Sequence, residues 1–490
     1  MGAVTGESYR LAIVGGGFTG VAVAIHALAV NRRPLSIDMI EPSARLGRGA
    51  AYATTDPDHR LNVPSGRMSL FSDDPDHFTR WLFDKKWLPN PESADSLGRC
   101  FVPRSAFAAY AEDVLAKALR RSAATASLRR LRARAVGLAR ENRGFRLELA
   151  DGSPLRADRV ALCTGHAPGA PCRIGVGAAG HPRFIANPWA PDSLAAVGKG
   201  DRVLIVGTGL TMADVVSTFA HANHEGPVVA VSPRGLLPCQ QGRFVDCSSL
   251  FEGVRPATAL ELLRLLRAAV RHRDDGLDWQ AVVDALRRRL PEVWPALPAL
   301  ERVRAVRKLL PFWEIHRFRI APQAAAAVAR LAAHGTLTVV RAKVIEIDAQ
   351  DGLLVARLRL PGGAIVEHVF DSVILCAGAS RNIRDNRLLA NLVDRGLAQG
   401  DDVGLGIRVD GFSRVIDARG AAQPDLFAFG PITRGTFGEM TGAPDIRRQI
   451  ERVVPILTGA ELPIQSGELE AFPADAERDR GFARASDTLA

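Results

Sequence analysis

The chain has 490 residues, of which 47% are hydrophobic, 24% charged and 6% aromatic. That composition excludes a disordered, collagen-like or disulfide-stapled chain and suits about three domains. The net charge of +10 does not point to nucleic acid, because only six of the 63 basic residues are Lys and the Arg residues are scattered along the chain.

The first informative stretch is 9–42, YRLAIVGGGFTGVAVAIHALAVNRRPLSIDMIEP. Residues 11–14 form a short apolar run of the kind that makes a buried parallel strand. Gly15, Gly17 and Gly20 follow in G-x-G-x-x-G spacing, then a helix over 21–30 and a second strand over 35–40 that ends at Glu41. In this order the motif predicts a dinucleotide site. One glycine permits the tight turn, one lets the backbone approach a pyrophosphate, and one lets the helix pack on the strand. Phe18 and Thr19 stand at the helix N-terminus, where free N–H groups meet phosphate. Glu41 is placed to grip a ribose hydroxyl. The Arg-rich stretch 120–134 reads as a solvated helix face running into a strand. Alternation over 131–149, the turn Asp151-Gly152 and the run RVALCTGH at 159–166 then predict a strand meander feeding a buried strand that closes at Gly165.

The plan repeats at 201–233, with a strand over 203–206, Gly207 and Gly209 in the turn, and Leu210 and Thr211 opening the helix. Met212 holds the third glycine position, so it must point away from the sheet or the helix must shift. The strand over 228–231 ends in Ser232-Pro233-Arg234 instead of an acid. A carboxylate repels a 2′-phosphate and an Arg pairs with one, which favours NADPH over NADH; the alternative for Arg234 is a surface loop residue. Residues 246–333 are rich in Leu, Arg and Ala with helical periodicity, and read as a lid or as a packing or dimerisation module. A second meander over 337–370 ends in SVILCAGAS at 372–380. A last strand at 426–429, the turn at Gly430 and a helix from near Pro444 complete the first fold after this insertion.

The reading is therefore an α/β chain with two Rossmann-like dinucleotide-binding domains, the second inserted into the first, plus a helical insert. The expected segments are 1–190 and 372–472 for the first domain, 191–245 and 331–371 for the second, 246–330 for the insert and 473–490 for a loose tail. No apolar run reaches the ~20 residues of a membrane span, and the opening residues show no secretory pattern. The six cysteines form neither a Cys-x-x-Cys pair nor a zinc spacing. A cytoplasmic protein without a metal is expected.

Two nested folds of this kind resemble the two-dinucleotide-binding-domain flavoproteins, which include disulfide reductases, flavin monooxygenases and amine N-hydroxylases. The segments LGRGAAYATTDPDHRLNVPSGRMSLF (46–71), FIANPW (184–189) and GPITRGTFGEMTGAPDIRRQ (430–449) make the chain more closely similar to bacterial FAD–NAD(P)-binding proteins. The resemblance implies FAD on the first fold and NADPH on the second. It also implies Arg48 beside the pyrophosphate or adenine, and Asn62 and Met68 along the isoalloxazine. Such flavoproteins often carry Gly-Asp after the last strand, but this chain has Gly430-Pro431. The ribityl contact then falls to backbone N–H groups or to Thr433, Arg434 or Thr436. The F-x-G-x-x-x-H core of Baeyer–Villiger enzymes is missing, as is a redox dithiol.

FAD with NADPH supports three classes of function. One is monooxygenation of a small amine or amino-acid-like substrate by molecular oxygen through a flavin hydroperoxide, and the resemblance favours it. The second is a reductase, and the third a non-catalytic flavin-bound partner whose interaction surface is the helical insert, through which the chain would also oligomerise. No catalytic set is assigned. Candidates are His316 and Arg317 in WEIHRFRIAP and Arg434 in ITRGTF. Arg434 is suited to the negative charge of a reduced flavin, and Arg317 or Arg319 to a substrate carboxylate.

Overall fold

The computed structural model describes residues 9–166, 173–190, 192–273, 276–378 and 380–460. Cys172 and the tail expected over 473–490 lie outside the described residues. The first sheet has the spatial order Arg414–Ile416, Ala422–Ala428, Arg159–Leu162, Tyr9–Val14, Leu35–Ile40, Ala126–Leu131. All its neighbours are parallel except the outer pair of 414–416 with 422–428. The strand that completes it after the insertion, Ala422–Ala428, lies next to Arg159–Leu162. The helix Phe18–Val30, apolar around its whole circumference, is buried between the helices Arg104–Arg121 and Ala443–Thr458.

The second sheet runs Leu337–Arg341, Val228–Ser232, Val203–Val206, Ser372–Leu375, Phe184–Ile185, all parallel. It therefore takes strands from outside the segments 191–245 and 331–371. The central strand Val203–Val206 is fully buried and needs a partner on each side, and Ser372–Leu375 supplies the second. Each domain carries its antiparallel meander, at 135–157 and at 343–370. Met212 does not turn away from the sheet. It is fully buried with Ile185, Val203 and Val215 in the second core. A β-carbon on Gly20 would overlap the carbonyl oxygen of Gly15. At the equivalent position of the second turn the Met212 side chain is accommodated within the second core.

The insert comprises Ala259–Arg271, Trp279–Ala296, Ala299–Lys308 and Leu310–Arg317. The next helix, Pro322–Ala333, packs along Leu210–His221 and belongs with the second domain, which shortens the insert expected to reach residue 330. The Arg-rich stretch is the end of Arg104–Arg121 and the edge strand Ala126–Leu131. Among the described residues no helix is long and apolar enough to cross a membrane, and no group of three or more His, Cys, Asp or Glu is disposed to hold a metal.

The two domains meet along the helix Leu210–His221. Arg104 of the first domain reaches Asp214 at 2.9 Å, and both side chains are buried. One helical turn on, Thr218 Oγ1 donates to Asp56 Oδ2 (2.6 Å) and lies 3.0 Å from His59 Nε2. Burial pushes the His59 pKa down from 6.5 to about 4; Arg104 acts in the same sense and Asp56 against it. The unfolded chain therefore binds this proton more tightly. The stabilising contribution is whole above pH 6.5 and is lost as pH falls toward 4. At pH 5 this amounts to on the order of 2 kcal/mol. Denaturant titrations at pH 7 and pH 5 should show that loss in the native protein and a clearly smaller one in His59→Asn; equal losses would remove His59 as the source.

Candidate functional site

The first glycine turn sits where the strand Tyr9–Val14 runs into the helix Phe18–Val30. Gly15 has φ +104, and a β-carbon there would overlap the carbonyl oxygen of Cys163. Gly17 caps the helix without a side-chain bond, so the N–H groups of the first turn face outward. A β-carbon on Gly17 would stand 3.2 Å from Gly49 Cα. This leaves a backbone-lined cradle between residues 15–20 and 47–49. The Phe18 ring is turned away from it onto Tyr52 and Phe107, leaving only its N–H for a ligand. Glu41 closes the floor, its Oε2 accepting from Gly16 N and its Oε1 from Ser43 N, each at 2.8 Å. Arg48 borders the cradle and faces Glu112 at 3.4 Å. The Thr164 hydroxyl, close behind Gly15, is buried without a hydrogen-bond partner among the described residues. Gly165 follows with φ +67.

The turn after the last strand closes on this cradle. Gly430 has φ +76, and a β-carbon on it would lie 3.0 Å from Thr19 Oγ1. Its N–H donates to Gln449 Oε1 at 2.8 Å, while Gln449 Nε2 donates to Thr433 Oγ1 and Ser413 Oγ. Thr433 Oγ1 in turn donates to Gly430 O. The Thr436 hydroxyl is held by the Val409 backbone. Of the three side chains that could replace the usual acid, Arg434 alone keeps donors in hand. Its Nη1 donates to Glu314 at 3.1 Å, and its Nε and Nη2 are buried without a hydrogen-bond partner among the described residues. The helical insert roofs this turn: Trp294 Nε1 donates to Gly435 O (2.8 Å), and Arg287 pairs with Asp445 at 3.1 Å.

Two candidates are not brought into the cradle as free groups. His316 is exposed, its Nδ1 donates to Phe312 O of its own helix, and its ring edge meets Trp279. Arg317 is buried between Glu439 and Asp445, each at 3.4 Å. Burial alone would raise Glu439, but Arg317 and Arg434 overcome it and hold the carboxyl well below its usual range. Arg319 is likewise committed, to Asp284 at 3.0 Å and to two backbone carbonyls.

A different Arg is uncommitted. Between the Ser65–Arg67 turn, residues 98–100 and the loop 241–244 lies a cavity of about 360 Å³, with Asp284 and Arg319 at its base. The Arg67 guanidinium lies over the Phe244 ring at 3.8 Å and has no acceptor among the described residues. Burial lowers its pKa to about 10, and Arg287, Arg288 and Arg319 add to the fall. Asp284, which lines the same cavity, is already shared by Arg319 and Arg287. Asn62 borders the same place, its carbonyl accepting from Gln241 Nε2 at 2.7 Å. Met68, by contrast, is 3% exposed and packs in the first core.

The second turn repeats the first in plainer form. Gly207 has φ +114 and would collide with the Cys376 carbonyl if it carried a β-carbon. Gly209 caps its helix without a side-chain bond. Leu210 packs against Ile320 and Ala324, and Thr211 is half-buried beside it. Ser232 Oγ accepts from Gly235 N at 3.0 Å. Arg234 is exposed, its guanidinium 5.4 Å from the Phe312 ring centre. Arg341, opposite Ser232 in the parallel ladder, places a second cation at this end of the sheet.

Residues 12–167 match a family model described as FAD-NAD(P)-binding. The fold is that of flavin-dependent N-hydroxylating monooxygenases. The reduced form of ornithine hydroxylase from Pseudomonas aeruginosa is 14% identical, with a TM-score of 0.62 over 92% of this chain and 99% of that one. An ornithine N-hydroxylase from Kutzneria sp. 744, with reduced FAD, NADP⁺ and L-ornithine, is 16% identical with a TM-score of 0.61 over 92% and 99%. The FAD-bound cadaverine monooxygenase of desferrioxamine biosynthesis from Erwinia amylovora is 12% identical with a TM-score of 0.63 over 96% and 100%. No curated protein sequence matches the chain.

A valine at Gly17 would fill the cradle against Gly49. Gly17→Val should purify without flavin while keeping its far-ultraviolet circular dichroism, and absorbance at 450 nm against protein concentration checks this.

Proposed function

We propose that this chain is an FAD- and NADPH-dependent monooxygenase that hydroxylates the nitrogen of a small amine carrying an acidic group, such as an amino acid. The balanced reaction is NADPH + H⁺ + O₂ + RNH₂ → NADP⁺ + H₂O + RNHOH. The observation that carries the reading is Arg67, a guanidinium without an acceptor among the described residues, lining a half-open cavity of about 360 Å³ next to Gln241, whose Nε2 donates to Asn62 O. A cavity of that size suits a small molecule. A reductase that hands electrons to a protein has no use for one. The folds shared with ornithine, lysine and cadaverine hydroxylases support the same reading.

The residues divide the work as follows. The 15–20 turn, Glu41 and Thr164 would hold the FAD pyrophosphate and ribose, because bare N–H groups and a steric cradle are what a dinucleotide needs. Residues 207–211, with Ser232, Arg234 and Arg341, would hold NADPH. Bound flavin supplies the reduction and activation of oxygen. Arg434, with two donors free, offers positive charge to whatever anion forms beside the Gly430 turn. Arg67, held over the Phe244 ring, anchors the acidic end of the amine. The five described cysteines are free, which fits a cytoplasmic setting.

A charge-assisted bond to a carboxylate is worth ~1.5–3 kcal/mol, or on the order of 10–100-fold. Arg67→Ala should raise KM for an amino-acid substrate by that factor, and KM for the decarboxylated amine by much less. Substrate-stimulated NADPH oxidation over such a pair of amines measures it, and equal losses would remove Arg67 from substrate binding. By the same reasoning Arg234→Ala should weaken NADPH by about 10–100-fold and NADH little, because only NADPH carries the 2′-phosphate. Flavin reduction titrated with each nucleotide reads this, and equal weakening of both would make Arg234 a bystander.

A further inference from the structure

The helix Leu210–His221 has two duties. Its first turn, after Gly209, presents the N–H groups that would receive the nicotinamide nucleotide. Its buried flank is fastened to the other domain by two rungs at positions i and i+4. The first rung is Asp214 on Arg104, whose Nη2 lies 3.1 Å from Oδ1 and 2.9 Å from Oδ2, while Arg104 Nε donates to Arg60 O at 3.0 Å. The second is Thr218, between Asp56 Oδ2 and His59 Nε2, with His59 Nδ1 2.7 Å from Thr54 Oγ1. Trp189, the last residue of the FIANPW segment, lies over Arg104 at 5.1 Å and meets the His59 ring edge-on at 5.4 Å. The segment joining the two domains is thus pinned at the same spot.

We propose that Arg104, Asp214, His59 and Thr218 form a docking bolt that sets the position of the nucleotide-binding turn at 207–209 relative to the first glycine turn. Arg104 and Asp214 are then positioning residues for the flavin–nicotinamide encounter; this rests on the FAD/NADPH reading above.

An apolar contact would hold two domains together about as well, since a buried ion pair often returns no more than its desolvation cost. What the ionic rungs add is register. An apolar face can slide by a few ångströms, whereas a carboxylate held at 2.9 Å by a guanidinium, with a hydroxyl rung one turn away, cannot slide without stranding a buried charge. The cost of that charge is visible at Asp214, where burial raises the carboxyl pKa to about 6 even against the pull of Arg104. Register matters here because a displacement of about 1 Å at reacting groups can slow a step on the order of 10²-fold. The bolt also gives the segment 184–189 a purpose that neither glycine turn explains.

The test uses the full flavin-loaded chain with Asp214→Asn, Arg104→Gln and, as a near-isosteric change that spares the ion pair, Thr218→Val. All three should keep their flavin and bind 2′,5′-ADP within threefold of the native protein, since neither glycine turn is touched. Anaerobic flavin reduction at saturating NADPH should fall on the order of 10–100-fold in the two charge variants and severalfold in Thr218→Val. Hydrogen–deuterium exchange without nucleotide should rise in 210–221 and 184–190 and stay unchanged in 9–30. Unchanged reduction, or unchanged exchange in those two segments, overturns the proposal. Loss of flavin or of 2′,5′-ADP binding in Thr218→Val also overturns it, because the rung would then be serving binding. If NADPH fails to reduce the native protein, the FAD/NADPH reading falls, while the exchange experiment still judges the bolt.

Discussion

Three carbon atoms that are not there organise this protein. A β-carbon on Gly15 would overlap the Cys163 carbonyl, one on Gly207 would overlap the Cys376 carbonyl, and one on Gly20 would overlap Gly15 itself. Because the glycines remove these collisions, each helix can drive its bare N-terminus against the carboxyl ends of its sheet. The rest of each domain follows from holding that approach. Gly15 N donates to Ile40 O (2.9 Å) and Cys163 N to Val14 O (2.8 Å) around the first turn. Gly207 N to Val231 O and Cys376 N to Val206 O, both 2.8 Å, do the same around the second. The copies differ at one point. Met212 stands where Gly20 does and fills the second core.

Charge is used sparingly inside the molecule and at the joints between its parts. Arg287 with Asp445 and Arg317 with Glu439 fasten the helical insert over the Gly430 turn, and Arg104 with Asp214 fastens the second domain to the first. In each place burial works against the charge and a partner of opposite sign offsets it. Arg67 and Arg434 depart from this pattern. Among the described residues Arg67 has no acceptor, and Arg434 has one at Nη1 with Nε and Nη2 left over. Arg67 lines the cavity between the Ser65–Arg67 turn and the loop 241–244, and Arg434 reaches Glu314 of the insert.

Much of the architecture was legible because it is written locally. The strands 35–40 and 203–206 are bounded by turn residues on both sides, and the structure ends them at the same residues. The duplicated meanders and the helix after Pro444 follow from alternation and from a proline at a helix start. What escaped depends on pairing across long stretches of chain. Asp214 lies 110 residues from Arg104 and looks like an ordinary helix residue until the domain insertion brings them together. Arg67 stands next to Met68, yet Met68 is the one that packs into the core. His316 and Arg319 carry suitable chemistry, but their hydrogen bonds are already used by neighbours that no periodicity announces. The helix 322–333 continues the helical periodicity of the insert and is set apart by what it packs on, the helix 210–221.

In the proposed function, two dinucleotides sit at the glycine turns, a buried ion pair fixes their relative placement, one guanidinium receives an acidic amine, and oxygen from O₂ ends on the amine nitrogen. The most direct measurement is turnover of NADPH and an amino-acid substrate under ¹⁸O₂, with the product analysed by mass spectrometry. An N-hydroxylated product carrying one ¹⁸O atom per NADPH consumed is expected. Unlabelled product, or NADPH oxidation that proceeds without oxygen while the amine is recovered unchanged, would contradict it.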